Sequence, residues 1–149
     1  MREDHIIIAR KIFYKSGKLR QVSKETTLKE VEELDLINRL REANKHAWTE
    51  GCGLAAIQIG IPLRFAWFKA GKKEGVLLNP VITNSWGKDV QKEGCLSIPN
   101  KYVYVPRAVT IEYTSNGKKK GKVSGFLARL IQHEIDHMDG ILNIDRVEK

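Results

Sequence analysis

The chain lacks the features that mark several whole classes of protein. Its two cysteines, Cys52 and Cys95, are too few for the disulfide scaffold of a small secreted domain. It has no internal repeat, which excludes a solenoid or propeller, and no Pro/Gly/Ser tract that would serve as a linker. No apolar run approaches the roughly 20 residues that span a bilayer. The opening MREDHIIIARK is too short in its apolar part and wrongly flanked for a secretory signal. A cytoplasmic protein with no membrane contact is therefore expected, and its cysteines suit a metal or a reactive thiol better than a disulfide. What is present is a soluble globular balance, 42% hydrophobic and 30% charged, in 149 residues. That is enough for one core, so residues 1–149 read as one domain, and a monomer is expected.

The formal charge of +8 admits an acidic partner such as RNA, or simply a lysine-solvated surface. The densest cluster, Lys118, Lys119, Lys120 and Lys122, follows SNG, a turn sequence, and so belongs on an exposed hairpin strand. Earlier, after an irregular N-terminal arm, TLKE at residues 27–30 has the form of a capping box, with Glu30 reaching back to the cap. One helix should follow, carrying Val31, Leu34, Ile37, Leu40, Ala47 and Trp48 and ending near Gly51. Short strand-like runs then begin at Leu63, Gly75, Tyr102 and Val109. A last helix begins after Ser124, which is placed to cap it, with Phe126, Leu127, Leu130, Ile131, Ile135 and Met138 on its apolar side. This order predicts an α+β fold, mostly antiparallel sheet wrapped around a central helix.

That last helix contains QHEIDH. Histidines at i and i+4 lie one above the other on a helix, so His133 and His137 can face one metal ion, with Glu134 within reach of its water. A catalytic site of this kind uses a third protein ligand and leaves one position open. Peptidases of the H-E-x-x-H-x-x-G-x-x-H type take that ligand downstream, but here Gly140 is followed by Asn143 where the histidine would stand. The best remaining candidates lie upstream, and Cys95 in EGCLS stands out because a thiolate binds borderline-soft divalent ions well.

Three stretches in order, GCGLAAIQ (residues 51–58), EGCLS (93–97) and QHEIDH (132–137), resemble the motifs of the peptide deformylases. These are metallohydrolases that remove the formyl group from the N-terminal formylmethionine of new polypeptides. Shorter matches at Leu19–Arg20, Asn79–Pro80, Val105–Arg107 and Ile144–Arg146 extend the likeness over nearly the whole chain. The resemblance implies that Cys95, His133 and His137 bind the metal, and that Glu134 is the general acid/base. It also implies that Gln58 and the backbone N–H of Leu96 face the formyl oxygen. The metal would be iron(II) in cells, with zinc, nickel or cobalt accepted by the same ligands, and oxidation of Cys95 would remove a ligand. Substrate binding falls to the glycine-rich stretches, Gly51, Cys52 and Gly53 on one side and Glu93 and Gly94 on the other. Phe126 and Leu130 would line a methionine pocket, though that stripe equally suits plain core. Asp136 would orient a neighbouring group and Glu93 would pair with Arg107, with ordinary surface salt bridging as the alternative for both. Cys52 reads as a small packing residue.

The pattern departs from the family in two places. Ile57 stands where many members carry proline, and the chain stops soon after IDRVEK, where many bacterial members continue into a C-terminal helix implicated in ribosome docking. Any ribosome contact would then fall to the basic surface. Two other readings stay open: a zinc peptidase cleaving internal bonds, and a basic RNA- or ribosome-binding module with a structural metal.

Overall fold

A computed structural model describes residues 12–14 and 16–147. Residues 1–11, which were read against a signal peptide, residue 15 and the last two residues lie outside the described residues. The fold is α+β. Strands β1 (Gly53–Ala55), β2 (Phe65–Ala70) and β3 (Lys73–Leu78) form one antiparallel sheet in that order. Strands β4 (Val81–Trp86), β7 (Thr110–Ser115) and β8 (Lys118–Ser124) form a second, in the order β4-β7-β8. Strands β5 (Asp89–Cys95) and β6 (Ile98–Arg107) pair as a two-stranded ribbon.

The single helix expected from residue 28 onward is two helices, α1 (Leu28–Glu33) and α2 (Leu36–Lys45). Asp35 breaks it, adopting φ 52°, a left-handed conformation that short polar side chains tolerate. Thr27 caps α1 as expected, accepting from Glu30 N at 3.1 Å. The Glu30 carboxylate turns instead to the Thr26 hydroxyl, 2.5 Å away. Ala47 and Trp48 lie past the end of α2. The run GVLLNPVIT also divides, at Asn79 (φ 46°) and Pro80, so that its halves serve different sheets. Asn79 fixes the corner through its side chain, which accepts from Thr26 N at 3.0 Å and donates to Thr26 O at 2.8 Å.

Helix α3 (Gly125–Met138) lies against both larger sheets. Its Ala128, Leu130, Ile131, Ile135 and Met138 share one core with Ala55, Ala66 and Phe68 of the first sheet and with Ile111 and Tyr113 of the second. Each large side chain buried there contributes about 1.5–3 kcal/mol relative to exposure. The helix therefore cannot rotate without exposing that stripe, and this fixes the direction of its polar side chains. Ser124 occupies the N-cap position, but its hydroxyl contacts Thr110 Oγ1 at 2.8 Å and makes no capping bond. Phe126, placed on the apolar side in the sequence reading, is 58% exposed. No helix among the described residues is long and apolar enough to cross a membrane.

Candidate active site

Helix α3 supplies His133, Glu134 and His137, and the end of β5 supplies Cys95. The three potential ligand atoms of Cys95, His133 and His137 lie within 4.8 Å of one another. Cys95 Sγ is 3.5 Å from His137 Nε2, which is 3.2 Å from His133 Nε2. An ion with tetrahedral bonds of about 2.0–2.3 Å needs ligand atoms roughly 3.3–3.8 Å apart, so this donor set closes on one divalent ion with little movement. His133 Nδ1 contacts Glu93 Oε1 at 2.9 Å, which leaves Nε2 as the nitrogen turned to the cluster. Asn143, at the position of a peptidase's downstream histidine, is buried and donates to Glu93 O at 3.4 Å. No downstream side chain joins the cluster among the described residues.

Glu134 is buried, and its Oε1 has no hydrogen-bond partner among the described residues. Burial pushes its carboxyl up to about 7, against the pull of His133 and Arg107. A carboxyl poised there both accepts and returns a proton near neutral pH. His137 is held well below the usual imidazole range, first by burial and then by the charges of His133 and Arg107. Burial acts the same way on His133, but Cys95 and Glu93 overcome it and raise this imidazole above its ordinary value.

Behind the histidines lies a buried charge network. Arg107 grips Glu93 through Nε and Nη2 at 2.8 and 2.9 Å, and reaches Asp136 Oδ2 through Nη1 at 2.6 Å. The Arg107 and Glu93 side chains are 3% and 7% exposed, so the surface-pairing alternative does not apply. Arg129 donates to Glu93 Oε2 at 2.6 Å and to the carbonyls of Val105 and Asp89 at 2.9 and 2.8 Å. Arg146 closes the chain on Asp136, at 2.6 and 3.0 Å. Burial alone would raise the Glu93 carboxyl, but Arg107 and His133 hold it well below the usual carboxylate range. Glu93 lines the cavity, and its carboxylate is committed to these partners.

The cavity beside this cluster measures about 570 Å³. Gly51, Cys52 and Gly53 form one wall and Gly94, Cys95 and Leu96 the other, with Phe126 and Leu130 between them. Phe126 stands at its mouth and Leu130 is buried. Cys52 is exposed, which corrects its reading as a packing residue. Gln58 also reaches the cavity. Its Oε1 accepts from Ala55 N at 3.0 Å, so its Nε2 must face the other way, where it donates to Ser97 Oγ at 3.0 Å and keeps a second N–H. Trp48 Nε1 donates to Leu96 O at 2.9 Å and Asn44 Oδ1 accepts from Gly51 N at 2.9 Å, tying both walls to α2 and its end.

Sequence reasoning missed Arg129, Ser97, Trp48 and Asn44 in these roles. Only Arg129 left a signal, a cation in an otherwise apolar turn, one turn before His133.

Gly53 sets the clearance of the Glu134 carboxylate. A Cβ there would stand 2.8 Å from Glu134 Oε2 and 3.1 Å from Leu130 Cδ1. Gly53→Ala should therefore displace the Glu134 carboxylate, lowering kcat by roughly 10–100-fold, in line with the cost of about 1 Å of misplacement. Circular dichroism and metal content should stay at parental levels. Parental kcat in this variant would show that Glu134 is free to move.

The model of the polypeptide deformylase family matches residues 10–149. The peptide deformylase of Halothermothrix orenii is 42% identical over 135 residues, covering 87% of this chain and 86% of the relative. The crystal structure of peptide deformylase from Thermotoga maritima superposes with a TM-score of 0.84 at 33% identity, covering 93% of this chain and 97% of that one. That of a probable peptide deformylase from Synechococcus phage S-SSM7 gives 0.80 at 35% identity, covering 91% and 98%. With sequence and fold shared over almost its full length, the chain belongs to the peptide deformylase family, metallohydrolases that remove the N-formyl group of new polypeptides.

Proposed function

We propose that Cys95, His133 and His137 hold the catalytic ion of this deformylase, and that Glu134 moves the proton. The observation that carries this reading is the convergence of three ligand atoms within 4.8 Å beside a buried carboxylate oxygen that lacks a partner. A divalent ion bound there supplies Lewis acidity, bringing the pKa of a water from about 15.7 to near neutrality. Iron(II) is the proposed native ion, since a thiolate and two imidazoles suit it, and they suit zinc, nickel and cobalt as well.

The substrate is the N-formylmethionyl end of a new polypeptide in the cytoplasm. Among the described residues β1 pairs only with β2 and β5 only with β6, so each offers an edge to the cavity between them. An extended peptide lies there as an added strand, held by main-chain hydrogen bonds that ignore side-chain identity. Leu130 and Phe126 flank the methionine side chain. Glu134 Oε1 takes the proton of the attacking water. Negative charge then grows on the formyl oxygen, where the free N–H of Gln58 Nε2 and the backbone N–H of Leu96 stabilise it. Glu134 finally returns the proton to the leaving amine nitrogen, releasing formate and a free N-terminal methionine.

The test is formate release from a short formyl-methionyl peptide under anaerobic conditions, by protein reconstituted with iron(II) or nickel(II). Cys95→Ser should lower bound metal well below one ion per chain. In cobalt(II)-loaded protein it should remove the sulfur-to-metal absorption band. Parental metal content and an unchanged band in Cys95→Ser would exclude Cys95 as a ligand. A folded, metal-loaded protein that releases no formate would overturn the proposed chemistry.

A further inference from the structure

The second sheet carries a feature that deformylation does not use. Cross-strand partners share a face, and the register β4-β7-β8 sets three rows across it: Val81, Thr114, Lys119; Asn84, Glu112, Lys122; and Trp86, Thr110, Ser124. The opposite face holds Ile111 and Tyr113 in the core, so these rows point outward. A bulge between Glu112 and Thr114, with Gly121 at φ 77° on the facing strand, brings Lys119 and Lys122 to the same side although they are three residues apart. Lys118 and Lys120 extend the charge toward the turn at Asn116 and Gly117.

All four lysines are exposed, and none forms an ion pair among the described residues. Glu112 is the one acidic side chain in the three rows. Lys122 Nζ lies 4.6 Å from the centroid of the Trp86 ring, so an aromatic plate and a cation are presented together. The Trp86 row also adjoins the cavity. Val109 lines its mouth and donates to Trp86 O at 3.0 Å, and Gly125, also in the lining, donates to Val109 O at 3.0 Å.

We propose that this face binds the phosphate backbone of RNA, without base-sequence preference, and holds it beside the mouth of the deformylation cavity. Lysines supply the charge, and Trp86 supplies a stacking surface of the kind that sequence-tolerant single-strand binders use. An anionic membrane fits less well. Val81 and Trp86 stand at opposite ends of β4 with Asn84 between them and hydroxyl residues alongside, so the face has no contiguous apolar wedge to insert.

The experiment measures binding of full-length protein to a fluorescent single-stranded RNA of roughly 20 nucleotides at about 50–200 mM salt. Phosphate binding by three or four lysines gives a slope of log K against log salt near −2 to −3, from about −0.7 per phosphate. Lys119→Glu/Lys122→Glu should bind at least about tenfold more weakly with a slope shallower by about 1.4. Its formate release from a short formyl-methionyl peptide should be unchanged. Lys29→Glu/Lys45→Glu, on α1 and α2, has the same net charge and should lose less than about twofold. Equal losses in the two double variants would reduce the effect to bulk charge and overturn the proposal. So would absence of parental binding at the lowest salt, or binding to phosphatidylserine vesicles without binding to RNA.

Discussion

Glu134→Gln should lower kcat by roughly 10²–10⁴-fold, the usual contribution of a positioned general acid/base, while leaving KM and metal content near parental values. The amide has the shape of the carboxyl, so the clearance against Gly53, where a Cβ would stand 2.8 Å from Oε2, is kept. It cannot accept a proton from water. The proposed ligand atoms belong to Cys95, His133 and His137 and not to Glu134, so the ion should stay. A fall in kcat at constant KM is the signature of an interaction needed only in the transition state. Stability should hold or rise, since burial already opposes the charged form of this carboxyl and a neutral amide avoids that opposition. Formate release within tenfold of the parent would remove Glu134 from the proton path. Glu134→Asp keeps the carboxyl but draws it back by a methylene, and its activity should fall between the two.

The parts of the site legible in the sequence were those encoded by a local period. His133 and His137 are four apart on a strongly apolar helix, and one turn of α-helix is enough to bring them together. Cys95 was legible through the chemistry of its thiol and the motif around it, although β5 itself was not read as a strand. DVQKEGC is largely exposed and has no apolar alternation, so nothing in it signals a strand, and its pairing is set by β6 across the ribbon. The break at Asp35 was hidden for a different reason. Apolar positions continue at helical spacing on both sides of it, and only the left-handed backbone at Asp35 separates α1 from α2. Cys52 illustrates the limit of residue type as a guide. It flanks β1 at the cavity wall, where the thiol is exposed and the carbonyl accepts from Lys69 N at 2.7 Å. Of the charge network the Glu93–Arg107 pair was expected from the motifs around it, but Arg129 and Arg146 were not, because no spacing along the chain announces that they meet Glu93 and Asp136.

Glu93→Ala is expected to damage stability and metal binding together, and the two effects can be separated. The carboxylate holds Arg107 by two bonds, Arg129 by one and His133 Nδ1 by one. Its removal leaves the Arg129 guanidinium buried with only the carbonyls of Val105 and Asp89, while Arg107 keeps Asp136. Breaking a buried ion pair from one side costs about 3–5 kcal/mol, which in a domain of this size corresponds to a Tm lower by roughly 10–15 °C. The loss should shrink in acid. Glu93 titrates well below the usual carboxylate range in the folded protein, so its contribution is complete above the unfolded value of about 4.3 and fades as pH falls toward the folded one. Metal affinity should fall by about 10–100-fold, because His133 loses the partner that fixes its ring and tautomer. Glu93→Ala/Arg129→Met removes one stranded charge and should recover part of the Tm, yet it cannot restore the bond to His133 Nδ1. If metal affinity returns along with stability in the double variant, Glu93 acts on the site only through the fold. If stability returns alone, the carboxylate positions the proposed ligand His133 directly, the outcome expected from the 2.9 Å contact.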